Sequence, residues 1–192
     1  MRITGGTLRS RRLQVAEGIR PTQDRVREAV FSALGEGIAG TRVLDLFAGT
    51  GALGLEAWSR GARSVCCVEK NETVCRTLRE NIESLCGEGN GGEIRAICSD
   101  CFRFLERDST EGAYDLVLAD PPYAQSGPGG TLELLLRALH RASILPPTGL
   151  LVYEQGVREP EAEEPGWTLL RSRKYGKTRV LFYRPVGNGS NE

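Results

Sequence analysis

Between residues 42 and 154, this chain of 192 residues alternates short apolar β-type runs with helically spaced segments. That rhythm constrains the fold more than any other feature. Residues 42–47 (RVLDLF), 64–69 (SVCCVE), 93–98 (EIRAIC), 114–119 (YDLVLA) and 149–154 (GLLVYE) read as strands. Several are apolar over consecutive residues, which is the pattern of strands covered on both faces. Between them come helical segments. One runs from a Gly-rich turn through Trp58, and one opens at Asn71 and carries Val74, Leu78, Ile82 and Leu85. A short one holds Phe102 and Leu105, and residues 131–141 place Leu132, Leu135, Leu136 and Leu139 on one face. Parallel neighbours need a crossover connection, so the alternation predicts an α/β fold with a Rossmann-like, doubly wound sheet. Residues 168–174 and 178–184, joined by Tyr175-Gly176-Lys177, predict a terminal β-hairpin and bring the sheet to seven strands.

Ligands in such sheets bind outside the carboxyl ends of the strands. Chemistry is therefore expected just after residues 47, 69, 98 and 119. The first strand runs into Asp45-Leu46-Phe47-Ala48-Gly49-Thr50-Gly51-Ala52-Leu53-Gly54, a GxGxxG turn opening a helix. Glycines there let backbone approach a ligand beside the free N–H groups of a helix start. Glu69 ends the second strand, where a carboxylate can accept both ribose hydroxyls of an adenosine. This pair alone fits a nicotinamide dinucleotide as well as S-adenosylmethionine. Asp45 tilts the choice, because a carboxylate beside the turn repels a pyrophosphate and suits a cationic α-amino group; its other reading is a buried structural acid. Asp100 and Cys101, after the third strand, offer an acceptor for an adenine amino group and a backbone N–H for a ring nitrogen. Thr22 is a suitable N-cap for the first helix and is placed to meet the carboxylate end of the cofactor.

The sharpest signal is Asp120-Pro121-Pro122-Tyr123, directly after the fourth strand. An aromatic amino group is a poor nucleophile because its lone pair is delocalised into the ring. Methylating it requires acceptors for its hydrogens. The Asp120 carboxylate and the Pro121 carbonyl can serve, with Pro122 stiffening the backbone. Tyr123 offers a face for an extruded base, and such stacking is worth about 1–3 kcal/mol, comparable with the cost of extrusion.

Charge adds a partner class. The net charge is zero but uneven: residues 1–27 hold seven arginines against Glu17 and Asp24, and residues 171–184 hold six basic residues and no acid. Basic ends on an acidic body point to a polyanion, with Arg2, Arg9, Arg11, Arg12 and Arg20 as the N-terminal contacts. The expected organisation is a basic, hairpin-like extension over residues 1–21, a catalytic domain over 22–186 and a disordered tail over 187–192. The six cysteines are expected to be reduced. No metal is expected, since the single histidine and a lone Cys98-x-x-Cys101 do not make up a zinc site. With no membrane-length apolar run and no secretory pattern at the start, a cytoplasmic monomer is expected.

These segments together resemble the amino-group class I methyltransferases. More narrowly, the chain resembles the RsmD family, bacterial enzymes acting on guanine N2 of small-subunit ribosomal RNA. The matching residues are Arg2-Ile3-Thr4-Gly5-Gly6, Arg11-Arg12-Leu13, Arg20-Pro21-Thr22, Asp24-Arg25-Val26-Arg27-Glu28, FAGTGALGLEA at 47–57, DPPY at 120–123, and Tyr175-Gly176. The resemblance implies S-adenosylmethionine as cofactor, S-adenosylhomocysteine as product, and ribosomal RNA in a partly assembled small subunit as partner. It implies cofactor contacts along the turn (Phe47, Gly49, Thr50, Gly51) and at Glu69, Asp100 and Cys101, with base contacts at Asp120, Pro121 and Tyr123. Three rivals remain at this point: a nicotinamide-dependent oxidoreductase, a non-catalytic RNA-binding module, and an adenine-N6 methyltransferase.

Overall fold

The computed structural model describes residues 1–15, 24–87, 92–107, 112–122 and 130–187. Its contacts divide the chain into two compact units, Met1–Cys101 and Phe102–Glu192. The division falls after the third strand, whereas the sequence reading separates residues 1–21 from the rest. The basic N-terminal segment belongs to the first unit because it is bonded onto that unit's helices, as shown below.

The first unit contains α1 (Asp24–Leu34), β1 (Arg42–Leu46), α2 (Ala52–Ser59), β2 (Ser64–Glu69), α3 (Glu72–Leu85) and β3 (Glu93–Cys98). A short 3-10 turn over Gly35–Ile38 follows α1. The strands pair in parallel in the order β3-β2-β1. Residues Val43 to Leu46 and Val65 to Val68 are all buried, as the unbroken apolar runs require. β3 lies at the edge and is more exposed. α3 starts where Asn71 accepts the Val74 amide at 3.1 Å, satisfying one of the donors that a helix start leaves open. Its apolar stripe buries Val74, Leu78 and Leu85.

The second unit contains β4 (Leu116–Ala119), α5 (Thr131–Ala142), β5 (Leu150–Gly156), β6 (Trp167–Tyr175) and β7 (Thr178–Pro185), with α4 (Cys101–Arg107) at its start. Its strand order is β4-β5-β7-β6. β4 and β5 are parallel, and the β6–β7 hairpin joins β5 antiparallel through β7. The four leucines of α5 named above are all buried. Trp167 Nε1 donates to the Leu136 carbonyl at 3.0 Å, and Tyr183 Oη donates to the Ala162 carbonyl at 2.8 Å. These bonds tie the hairpin to α5 and to the Pro-containing segment before it. All seven strands belong to one mixed sheet, an α/β fold with a Rossmann-like strand order.

Candidate functional site

The parallel register of the first unit sets Leu46 beside Val68 and Glu69 beside Cys98. The Ala48 amide donates to the Val68 carbonyl and the Ser99 amide to the Glu69 carbonyl, each at 3.0 Å, so the ladder continues past the strand ends. Phe47, Gly49, Thr50, Gly51, Glu69, Asp100 and Cys101 are thereby gathered along one carboxyl edge, where the sequence reading puts them.

The turn itself is bent through the left-handed region, with φ of 59° at Phe47, 56° at Gly49 and 89° at Gly51. For a bulky residue such as Phe47 this conformation is rare and costs about 1–3 kcal/mol, and such residues collect at ligand sites. The Phe47 amide donates to Cys101 Sγ at 3.3 Å. Burial pushes the Cys101 thiol up to about 12, so it stays a neutral acceptor rather than a nucleophile.

The glycines divide by role. A Cβ on Gly51 would stand 2.5 Å from Leu78 Cδ1, and one on Gly54 would stand 2.5 Å from Cys67 Sγ and 3.0 Å from Asp45 Oδ2. Those two serve the close packing of α2. A Cβ on Gly49 would meet nothing within 4 Å, so its backbone faces open space. The Gly49 amide donates to Glu69 Oε2 at 3.0 Å, and the Asn71 amide donates to Glu69 Oε1 at 2.8 Å. Each carboxylate oxygen has another lone pair to offer, which suits a pair of vicinal hydroxyls. A ribose beside Gly49 fits these groups.

Asp45 is 1% exposed, and its Oδ2 accepts the Gly54 amide at 2.8 Å, near the start of α2. This bond gives one Asp45 oxygen a structural role, and the helix dipole favours a carboxylate there. Thr50 is also buried, and its carbonyl accepts Asn81 Nδ2 at 2.9 Å. Asn81 holds the Gln14 backbone as well, accepting from its amide at 2.9 Å and donating to its carbonyl at 3.0 Å. One buried amide side chain therefore ties the Gly-rich turn to the N-terminal segment.

That segment folds back on itself through an antiparallel bridge between Arg2 and Arg12. Ile3, Leu8 and Leu13 are buried, while Arg2, Arg9, Arg11 and Arg12 are exposed. The Leu8 amide donates to Ser59 Oγ at 2.8 Å and the Thr7 amide to the Ser59 carbonyl at 2.7 Å. Glu56, fully buried on α2, accepts from the Thr4 amide at 2.8 Å, Thr4 Oγ1 at 2.7 Å, Arg60 Nε at 2.9 Å and Arg27 Nε at 3.3 Å. Arg27, equally buried, also donates to the Arg2 carbonyl and to Asp24.

In the second unit, Asp120 follows β4 and is half-buried, Pro121 is buried and Pro122 is exposed. Burial raises the Tyr153 phenol, with the Glu159 and then the Asp120 carboxylates adding to the shift, so Tyr153 stays a neutral hydroxyl beside this end of the sheet. Thr22, Arg20 and Tyr123 lie outside the described residues. All six cysteines are free thiols. Among the described residues no His/Cys/Asp/Glu cluster suits a metal ion, and no helix is long and apolar enough to cross a membrane.

Sequence reasoning missed Glu56, Arg27, Ser59 and Asn81. A signal existed for two of them. Glu56 interrupts the otherwise apolar LGLEAW, and Asn81 falls on the same helical face as Val74, Leu78 and Leu85. A polar residue on a buried face needs a partner, but the partner's identity is not written locally.

The family described as Conserved hypothetical protein 95 matches residues 1–184. The chain is 33% identical over 195 residues to Ribosomal RNA small subunit methyltransferase D of Escherichia coli K12, covering all of this chain and 93% of that protein. It is 33% identical over 186 residues to the protein of the same name in Haemophilus influenzae, covering 96% and 93% respectively. The solved structure of yhhF from Escherichia coli superposes with a TM-score of 0.83 at 35% identity, covering 97% of this chain and 98% of that one.

Proposed function

The chain belongs to the Conserved hypothetical protein 95 family, the RsmD-type ribosomal RNA methyltransferases, and from that premise we propose that it transfers a methyl group from S-adenosylmethionine to the exocyclic N2 amine of a guanine in small-subunit ribosomal RNA. The fold is that of the class I methyltransferases. One observation carries the cofactor reading: the bond between Glu69 and the Gly49 amide, beside a glycine whose backbone faces open space. The Gly-rich turn and Glu69 would hold the nucleoside by its ribose, with Asp100 and the Cys101 amide toward the adenine. Thr22 and the Asp45 region would meet the methionine end. When bound, the cofactor supplies a methyl carbon made electrophilic by a sulfonium.

The chain's own residues would prepare the acceptor. Asp120 takes a hydrogen bond from one N–H of the guanine amine and the Pro121 carbonyl takes one from the other. The nitrogen lone pair is drawn out of the ring and toward the methyl carbon. On accepting the methyl group the nitrogen would give up one proton, which would leave along the bond to Asp120 toward water. The remaining catalysis is alignment, with Tyr123 stacking on the base.

The direct test is transfer of radiolabelled methyl to small-subunit ribosomal RNA lacking the modification, followed by nucleoside analysis. N2-methylguanosine is the expected product. N6-methyladenosine would replace the acceptor assignment, and no transfer to any RNA, with S-adenosylhomocysteine still bound, would leave only a binding module.

The exposed Arg9, Arg11 and Arg12 are proposed to lie against RNA phosphates. Replacing all three with alanine should weaken RNA binding and lower the slope of log affinity against log salt by about 2–3, from roughly 0.7–0.9 per lost phosphate contact. A titration series in potassium chloride reads this slope, and an unaltered value removes these residues from the interface.

A further inference from the structure

We propose that the β6–β7 hairpin is a second RNA-gripping surface, on which Arg171, Arg173 and Arg184 form a stripe that binds the sugar-phosphate backbone next to the methylated nucleotide. The proposal rests on the RNA-methyltransferase reading above and adds a surface that reading does not use.

Strand register defines the stripe. Arg171 pairs with Phe182, Arg173 with Val180 and Tyr175 with Thr178, while Thr168 pairs with Arg184. Paired residues share a face and alternate residues along a strand share a face. Arg184, Arg171, Arg173 and Tyr175 therefore project from one side of the hairpin. The irregularity between Leu169 and Arg171 brings this about, since without the extra residue Arg171 and Arg173 would turn to the opposite side. Arg171, Arg173 and Arg184 are exposed. Arg171 and Arg173 stand two residues apart, about 6.6 Å along the strand, a spacing close to that of successive phosphates on an extended RNA strand. The Arg171 guanidinium carbon lies over the Phe182 ring, 5.9 Å from its centroid, a cation–π contact that helps to hold the side chain on this face.

The two faces of the hairpin differ in charge balance. On the other face, Arg179 pairs with Glu161 at 3.5 Å and Ser172 donates to Glu161 at 2.7 Å. On the arginine face, no carboxylate pairs with Arg171, Arg173 or Arg184 among the described residues, and neither strand contains an acidic residue. β6 is also the last strand in the sheet order, so among the described residues its outer edge is not paired with another strand. Concentrated, uncompensated guanidinium charge on an open edge matches a polyanion.

Position links this surface to the reaction. Ala119 is in register with Tyr153, Tyr153 with Leu181, and Leu181 with Ser172, so these residues form one row across the second unit. Asp120 lies one residue further along. In the next row, Glu154 is paired with Val180 and Val180 with Arg173. Arg173 is thus level with Asp120 at the same end of the sheet, three strand spacings away, or about 14 Å. A few nucleotides of single-stranded RNA span that distance.

The test uses the full chain with Arg171→Gln and Arg173→Gln together, and protein-free small-subunit ribosomal RNA as the probe. The expected result is a KM for RNA raised several-fold and a salt slope reduced by about 1.4, from roughly 0.7 per contact to a single strand. The thermal midpoint should match wild type. Arg171→Lys with Arg173→Lys should recover most of the slope, because charge is retained. An unchanged slope in the glutamine variant, with wild type active on RNA, overturns the surface and leaves the activity standing. A reduced slope without methyl transfer by wild type would keep the surface and overturn the activity. Loss of binding to assembled particles with normal binding to bare RNA overturns the proposal and assigns the edge to a ribosomal protein.

Discussion

Asp120→Ala should lower the rate of methyl transfer by roughly 10²- to 10⁴-fold, the range for loss of a positioned proton acceptor, while S-adenosylhomocysteine affinity stays within a few-fold of wild type. The asymmetry follows from where the residues sit. The groups proposed to hold the cofactor, from Phe47 through Cys101, lie at the carboxyl ends of β1 to β3, whereas Asp120 follows β4. Alanine removes the acceptor proposed to draw the amine nitrogen out of conjugation and leaves the carboxylate of Glu69, proposed to bind the ribose, untouched. Asp120→Asn is the informative companion. It keeps an acceptor oxygen and loses the negative charge, so it should fall between alanine and wild type. The loss should appear in single-turnover rates at saturating RNA, since the defect is in the chemical step. Activity of Asp120→Ala within a few-fold of wild type would sink the assigned role.

The second large effect is on stability. Glu56→Ala should destabilise the protein by about 3–5 kcal/mol, the usual cost of leaving a buried charge without its partner. Glu56 and Arg27 both have fully buried side chains. Arg27 Nη1 already has no hydrogen-bond partner among the described residues, so removing Glu56 leaves the guanidinium with still less to offset its desolvation. The same change frees the Thr4 amide and hydroxyl and releases one anchor of the N-terminal segment. Urea unfolding reads the loss as a lower midpoint. The double change Glu56→Leu with Arg27→Leu should lose less than Glu56→Ala, because no charge is then left buried. A drop below about 1 kcal/mol in the single variant would show that water or a shifted partner reaches Arg27.

Much of the site could be read before any tertiary contact was known. Glu69, Gly49 and the Asp120-Pro121 pair fall at strand ends because apolar runs and glycine turns are local signals. The roles of individual groups were less legible. Asp45 reads from sequence as either a partner for a cationic ligand or a buried structural acid, and the fold adds a bond from the Gly54 amide to one of its oxygens. Gly51 and Gly54 look like ligand-facing glycines alongside Gly49, but their missing side chains make room for Leu78 and Cys67. In both cases the deciding neighbour comes from another element.

The sequence by itself determined the alternation of strands and helices, the placement of Asn71 as a cap, the β6–β7 turn and the strand ends at which polar residues cluster. These depend on periodicity and backbone preference over a few residues. Only the tertiary structure decided that Asn81 ties Gln14 to Thr50, that Glu56 ties α2 to Thr4 and Arg27, and that an irregularity in β6 turns Arg171 and Arg173 to the face of Arg184. Those pairings join residues distant along the chain, or depend on a one-residue shift in register. Burial makes each polar group require some partner, but which partner it meets is fixed only when the elements pack.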